Sequence, residues 1–544
     1  MTVSASPAPE IGQAGPDSTS PKLRPRCVVG AIAVALAGLS AAVLFAISKV
    51  FSGSVDLANH YALVHWIYGH LSLPSAPDPY LGDMAYYPPG SHALAAIVGR
   101  LVGSPMLGMQ LVAFTAVAVI WLAIAGMLGL LPGIRRWVAL VVLALVLLLA
   151  APNGPLPIEL HGWEIIGNYF FAQVVGQAVF WVALLWTAWC ARRRLSFAWV
   201  VWPLAIVTLL CTQVHLVGAF ETLGLLWLVS IKETVMLIRQ GAKLSAKSLV
   251  PIVAAGVVSV LLAASPGFAA MRKLSQNDGS LPIPGLSSVG RMLALAIVVL
   301  VVSAALLFWS RTQRLRGTQS GRITEVLSFG AIAVAIPCLA QAAMLSGGEG
   351  SAYAVKKYAF ALVTMLVVEL CLSIALLVPD SACKAKRVRC DTMLVLRSAA
   401  AVAVVLIAFF ALFRQPATAL TSNVLAMETQ IEEYSRTVVE TTPNHVNVAY
   451  DLPATLRVMD FGFTMTALGT RVTPALTMID HEPTALGNRL GDIVTAKDSV
   501  YGLRLECRKS VPVQKVVVVD GQCILGVPTP RAATGNRNDR KRVT

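Results

Sequence analysis

The chain has 544 residues, of which 56% are hydrophobic and 13% charged, and its mean hydropathy is +0.71. That is more apolar surface than a soluble core can hide, so the composition excludes an ordinary soluble enzyme and implies an all-α polytopic membrane domain. The formal net charge of +15 does not imply nucleic acid, because the basic residues stand in short clusters beside apolar runs and no basic domain with interleaved aromatics is present.

In chain order, residues 1–26 read as a disordered cytoplasmic tail, rich in Pro, Ser, Ala and Gly and ending in Lys22, Arg24 and Arg26. The apolar run 27–51 exceeds a signal-peptide core and has no clear small-residue cleavage site after it, so it reads as a retained anchor. A first outer loop, 52–105, follows. Its segment 91–103 is apolar but only about 13 residues long, too short to cross roughly 30 Å of hydrocarbon as a helix, and is placed in the outer interface. The remaining apolar runs, at 106–131, 137–151, 169–190, 197–214, 217–237, 248–265, 288–309, 324–345, 358–378 and 392–413, bring the count to about eleven crossings in a domain spanning 27–413.

Charge supports this topology. It gives the inner turns Arg135 and Arg136, Arg192 to Arg194, Arg239 with Lys243 and Lys247, Arg311 to Arg322, and Lys384 to Arg389, whereas the outer connections at 152–168 and around His215 carry no Lys or Arg. A crossing at 91–103 would invert every later loop against the positive-inside tendency. The chain therefore reads as a multi-pass protein of the plasma (inner) membrane, N-terminus cytoplasmic and C-terminus extracytoplasmic. Residues 414–527 form an extracytoplasmic soluble domain, α+β or mainly β, and 528–544 a disordered tail. Asp520-Gly521 between β-branched runs marks a hairpin. Cys507 and Cys523 flank its first strand, as a disulfide or as two free thiols.

The first outer loop concentrates acid–base chemistry, with Asp56, Asp78, Asp83 and four of the eight histidines. In DLANHY a helical turn places Asp56, Asn59 and His60 on one face, and a carboxylate just outside the hydrocarbon suits a general base for a hydroxyl nucleophile. The alternative is that Asp56 caps an interfacial helix whose apolar positions are Leu57, Tyr61, Val64 and Trp66. Further on, Tyr86-Tyr87-Pro88-Pro89-Gly90 forces an extended approach, Ser91 is placed to N-cap the short helix, and His92 falls in its first turn. His60, His65 and His70 recur every five residues, which does not align them on one helical face, so no metal site is expected.

These residues carry a resemblance. Asp56 in SVDLANHY and Tyr87-Pro88-Pro89-Gly90-Ser91-His92 resemble the GT-C superfamily of polyprenyl-phosphate-sugar-dependent membrane glycosyltransferases. The resemblance implies a GT-C-like helical domain, a polyprenyl-phosphate sugar donor, a glycan, lipid or protein acceptor, and acceptor activation by Asp56. The residue after Asp56 is Leu57 where the family has a second acid, which makes Asp83 the reserve carboxylate. Independently, SGGEGSAYAVKKYAF places Tyr353, Lys356 and Lys357 at the outer mouth of a span, where lysine can stabilise a departing phosphate or reach to lipid headgroups. Arg272 is the second choice for the phosphate. Tyr86 and Tyr87 are placed to line a sugar, and Glu159, His161 and Glu164 to contact the acceptor. A divalent cation, Mg or Mn, stays open as a cofactor.

Glu369, in mid-span, reads as a structural hydrogen-bonding group or a proton- or substrate-linked one. The competing function classes are a transporter or lipid flippase, which predicts repeats and midplane polar groups, and an inactive scaffold of the same fold.

Overall fold

A computed structural model describes residues 25–47, 50–51, 55–75, 81, 83–151, 154–239, 246–274, 281, 283–379, 390–414, 420–421, 428, 447–451, 499–504, 515–519 and 522–526. The apolar runs are helical because a helix satisfies its backbone polar groups internally where no water can reach them. In chain order the helices are α1 (Pro25–Ala46), α2 (Val55–His70), α3 (Gly90–Val102), α4 (Pro105–Gly129), α5 (Arg135–Leu149), α6 (Trp163–Asn168), α7 (Phe171–Arg193) and α8 (Ala198–Thr212). They continue as α9 (Leu216–Arg239), α10 (Ala246–Ala263), α11 (Pro266–Leu274), α12 (Val289–Ser310), α13 (Gln319–Ser346), α14 (Ala352–Lys356), α15 (Ala359–Leu377) and α16 (Cys390–Phe413).

Seven helical stretches among the described residues are long and apolar enough to cross a membrane: α1, α4, α7, α12, α13, α14 continuous with α15, and α16. The four other expected crossings fall on helices that are shorter or more polar. α5 and α8 have 15 residues each and α10 has 18, while the 24-residue α9 carries Glu221, Lys232 and Glu233. The short segment after Pro88-Pro89 is a helix of 13 residues, α3, packed on α2 and α4. Its cap differs from expectation. The helix starts one residue early, at Gly90 behind a helical Pro89, so Ser91 lies inside the first turn with its hydroxyl 3.3 Å from His92 Nδ1. Proline pre-sets the helical φ, which removes the need for a side-chain cap there.

Close helix crossings are made at glycine. A Cβ on Gly218 of α9 would stand 2.5 Å from the Gly176 carbonyl oxygen of α7. Small residues at such crossings let backbones approach in an apolar bundle that has no hydrophobic drive between its helices. α2 is more deeply seated than an interfacial helix: Leu57, Tyr61, Leu63 and Val64 are buried, and Asp56 is its second residue rather than its cap. In mid-bundle the Ser303 hydroxyl donates to Glu369 Oε1 at 2.6 Å, a bond between α12 and α15.

After α16 the chain returns to the end of the bundle that carries α2. Strand β1 (Val50–Phe51) pairs antiparallel with β2 (Leu420–Thr421). Glu428, 5% exposed, then accepts from the Tyr61 hydroxyl at 3.3 Å, the Met106 N–H at 3.0 Å and the Ser104 hydroxyl. A carboxylate thus closes the N-terminus of α4, where the helix leaves N–H groups unpaired. Further on, β3 (Asn447–Asp451), β4 (Ser499–Arg504), β5 (Lys515–Val519) and β6 (Gln522–Gly526) form one sheet in the order β3-β4-β6-β5. β3 and β4 are parallel, and β5 and β6 form the antiparallel hairpin expected around residues 520–521. Cys507, and with it any pairing to Cys523, lies outside the described residues, as do both expected tails.

Glu428→Ala removes the shared acceptor of three buried donors, and is expected to cost about 1–3 kcal/mol. A clear drop in the thermal midpoint of the full chain in detergent checks this, and a midpoint equal to wild type refutes the anchoring role.

Candidate active site

Six helix ends meet beside the Glu428 anchor. The first two turns of α2 supply Asp56 and His60, which share a face at a spacing of four. The first turn of α3 supplies His92. The turn between α8 and α9 supplies His215, the start of α7 supplies Phe170 and Phe171, and α14 with its C-cap supplies Tyr353 and Lys357. α3 reaches this point because the Gly90 N–H donates to the Gln213 carbonyl at 2.6 Å. A Cβ on Gly90 would also stand 2.6 Å from that oxygen, so only glycine permits the approach.

The Tyr353 hydroxyl donates to Asp56 Oδ2 at 3.3 Å, joining positions 297 residues apart. The Lys357 ammonium lies 4.6 Å from the Tyr353 ring centre and 4.9 Å from that of Phe170, a cation–π arrangement. Gln173 fixes the same turn by donating to the Lys357 carbonyl at 2.7 Å. One carboxylate and one ammonium therefore flank a single phenol, within electrostatic reach of each other.

Beside them stands a group of buried imidazoles. His60 Nδ1 and His92 Nε2 are 2.9 Å apart, and the Pro88 carbonyl accepts from His92. With Nε2 facing His60, the His92 proton sits on Nδ1. His60 therefore donates from Nδ1 and keeps the lone pair of its own Nε2. His215 Nδ1 accepts from the Val217 N–H at 3.2 Å, so its Nε2 carries the proton, and that atom is buried without an acceptor among the described residues. Tyr87 packs edge-on against His60 and His92, with ring centres 5.4 and 5.5 Å away, and Phe171 closes the opposite side.

Burial disfavours charge on all three imidazoles. It holds His60 well below the usual histidine range, helped by the charges of His92, Lys357 and His215. Burial does the same to His215, with Lys357 and His92 adding to it, and pushes His92 down to about 3. The Tyr87 phenol is pushed up, by burial first and then by the charge of Asp56.

Of the residues singled out in the sequence, Asp56, His60, Tyr87, His92, Tyr353 and Lys357 converge. Lys356 is half-buried on the neighbouring face of α14, and Tyr86 is 39% exposed beside half-buried Tyr87. Arg272, 65% exposed on α11, pairs with Glu349 at 3.2 Å. Asp83 opens the turn Asp83–Tyr86, and its side chain lies outside what the structure describes. His65 and His70 point outward, His70 stacking on Trp66.

The expected acceptor contacts at His161 and Glu164 are instead interior. His161 is 1% exposed and meets Glu164 at 2.7 Å, its N–H donates to Thr364 of α15, and its carbonyl accepts from Trp121 of α4. These bonds hold the 154–162 connection inside the bundle. Glu159 is pushed up to about 7 by burial and by the Glu164 charge. His215 and Phe171 carry no signal in the sequence, since an isolated histidine or aromatic between apolar runs has no pattern partner.

Among the described residues no group of three or more His, Cys, Asp or Glu side chains is arranged to hold a metal.

An apolar groove of about 780 Å³ is lined by Leu94 and Val98 of α3, Leu111 and Val119 of α4, and Val182 and Trp186 of α7 among others. Two of its walls, α3 and α7, are the helices that supply His92 and Phe171 to the cluster.

No family model matches the chain, and no curated protein matches it significantly. Solved structures with a similar fold include ArnT from Cupriavidus metallidurans bound to undecaprenyl phosphate, at 12% identity, covering 92% of this chain and 97% of that one with a TM-score of 0.40. The apo form of ArnT matches at 14% identity with the same coverage and score. The archaeal oligosaccharyltransferase AglB from Archaeoglobus fulgidus, in complex with an inhibitory peptide and a dolichol-phosphate, matches at 14% identity over 86% of this chain and 69% of that one, with a TM-score of 0.40.

The neutral histidines set a pH dependence. Their folded-state pKa values lie below the ordinary 6.5, so below that pH the unfolded chain binds more protons than the folded one. The histidine contribution to stability is therefore level above pH ~7 and is lost as pH falls below ~6.5, opposite in sign to that of Glu159. The thermal midpoint of wild type relative to His215→Gln, measured from about pH 8 to about pH 5, should fall as pH falls. A flat profile would count against burial of neutral imidazoles.

Proposed function

We propose that the chain is an inverting membrane glycosyltransferase of the GT-C kind, taking a sugar from a polyprenyl-phosphate donor and passing it to a hydroxyl of a glycan, lipid or protein acceptor outside the cytoplasmic membrane. The observation that carries this reading is the meeting of Asp56 and Lys357 around Tyr353, with an apolar groove suited to an isoprenoid tail along two of the helices that supply the cluster.

The chemistry follows from the charges. Asp56 takes the proton of the acceptor hydroxyl as its oxygen attacks the anomeric carbon, and the bond from that carbon to the phosphate oxygen breaks in the same displacement, inverting the centre. Negative charge grows on the departing phosphate, and Lys357, with Lys356 one residue away, is placed to receive it. Tyr353 orients the Asp56 carboxylate through its hydrogen bond. Neutral imidazoles bind sugar hydroxyls without adding a charge that competes for the phosphate: His60 offers a lone pair and His215 an N–H. Arg272 stays the second choice for the phosphate, Tyr86 lines the sugar with Tyr87, and Asp83 is the reserve carboxylate.

The site and the arginine-rich turns lie at opposite ends of α7, which runs from Phe171 to Arg193, about 33 Å at 1.5 Å per residue. With basic residues inside, the site faces the outer side of the plasma membrane, the N-terminus is cytoplasmic, and the domain after α16 is extracytoplasmic. About eleven crossings complete this topology when α5, α8, α9 and α10 are counted with the seven long apolar helices.

Asp56→Asn is expected to lower transfer from a panel of radiolabelled polyprenyl-phosphate sugars by about 10²–10⁴-fold while donor binding to purified protein in lipid persists. Wild-type turnover that survives the substitution would refute the assignment of the base. Sensitivity to Glu369→Gln together with indifference to Asp56→Asn would favour a transporter.

A further inference from the structure

Asp56 lies midway in the chain between two points at which α2 and its approach are gripped by residues that follow α16. On one side β1, just ahead of α2, pairs with β2, Phe51 opposite Leu420. On the other side the Tyr61 hydroxyl, in the second turn of α2, donates to Glu428 Oε1 at 3.3 Å. Both partners are buried, Tyr61 at 1% exposure and Glu428 at 5%. At 3.6 residues per turn, Tyr61 stands roughly 140° round the helix from Asp56. The grip is therefore on the back of α2, and the face that carries Asp56 and His60 stays turned to the site.

Glu428 is itself held by fixed points. The same Oε1 accepts from the Met106 N–H at 3.0 Å and Oε2 accepts from the Ser104 hydroxyl, both at the N-terminus of α4. The segment also starts from a fixed root. Phe413, at the end of α16, packs against Phe45 of α1 and Phe114 of α4 with ring centres 5.6 and 5.7 Å away, and Arg414 donates to the Leu148 carbonyl of α5 at 2.9 Å. A carboxylate shared by donors from two helices has little freedom, so α4 sets where its oxygens stand and the Tyr61 bond passes that position to α2.

Asp56 needs such support. It is the second residue of its helix, and a first turn lacks intrahelical partners for its N–H groups and frays most readily. A general base must stand within hydrogen-bond reach of the hydroxyl it serves, and a misplacement of about 1 Å can cost about 10²-fold in rate.

We propose that Leu420–Thr421 and Glu428 form a clamp on α2, and that Glu428 is a positioning residue for transfer: through the Tyr61 hydroxyl it fixes where Asp56 meets the acceptor. This rests on Asp56 being the base. Lys357 is carried by α14, which none of these bonds includes, so donor binding does not depend on the clamp.

Two readouts on the full chain test it. The first needs no substrate: hydrogen exchange of peptides spanning residues 50–61. Tyr61→Phe, which takes away the hydroxyl that meets Glu428, should raise that exchange about tenfold. Ser104→Ala takes away a bond to Glu428 and the N-cap of α4 together, and should leave exchange of 50–61 within about twofold of wild type. The second readout is transfer of radiolabelled sugar. Y61F should lower kcat about ten- to hundredfold with the donor KM within about twofold of wild type, whereas S104A should keep kcat. Glu428→Gln retains a carbonyl oxygen for Tyr61 and Met106 and should match wild type in both readouts, whereas Glu428→Ala should lose both. Unchanged exchange in Y61F, or an equal rise in S104A, would overturn the clamp. Raised exchange in Y61F with wild-type kcat would overturn the positioning role. If wild type transfers sugar from no donor, the glycosyltransferase reading falls and the positioning role with it, while exchange still decides the clamp.

Discussion

An ammonium group seated among aromatic rings at the edge of an apolar bundle needs a counter-charge within reach, and Asp56 supplies it to Lys357. The two sit on segments nearly three hundred residues apart, and neither is well placed without the other. Without Lys357 and the Tyr353 hydroxyl, the carboxylate would be half-buried beside neutral imidazoles, where its charge is disfavoured. Without Asp56, the ammonium would keep only its two ring faces, and a cation–π contact does not replace a counter-ion. Site assembly and charge balance are therefore one requirement, met by packing α2 against α14 around a phenol.

That packing is possible because bulk is removed at a few backbone positions. Gly90 lets the chain before α3 bond the Gln213 carbonyl, and Gly176 with Gly218 lets α7 and α9 touch just below His215. Each contact moves a histidine-bearing turn toward the same point. The outcome is an imidazole group kept neutral by burial, next to one carboxylate and one ammonium. A charged imidazole there would compete with Lys357 for any phosphate, so neutrality keeps positive charge concentrated at one atom.

Much of this was legible in the sequence, and the reasons it stopped are physical. Asp56 and His60 share a helical face by spacing, Pro88-Pro89-Gly90 announces a constrained turn before His92, and a lysine pair stands at a span mouth otherwise poor in basic residues. The choice between Lys356 and Lys357 was not legible. On α14 the residue that stacks on Tyr353 is Lys357, four positions on, while Lys356 points roughly 100° away. Arg272 went to Glu349, since an exposed charge takes the nearest opposite charge. His161 and Glu164 look like surface groups in sequence, yet they pair with each other inside the bundle. Glu428 has no local pattern at all, because its donors come from α2 and from the start of α4. The groove is equally silent, since helices that are apolar all round do not reveal which faces leave a gap.

The two ends of α7 show how one helix serves two electrostatic tasks. At Phe171 the surroundings hold charge to one carboxylate and one ammonium amid neutral groups, which suits a reaction in which charge moves between two oxygens. At its other end α7 closes with Arg192 and Arg193, the basic pair that the positive-inside tendency assigns to the inner side. The apolar groove runs along the same helix between them. On the proposed reading, a lipid-linked substrate would lie with its tail along α7 and its reacting end at the Asp56 cluster, so the same helix that lines the groove also sets the position of Phe171 beside the imidazoles.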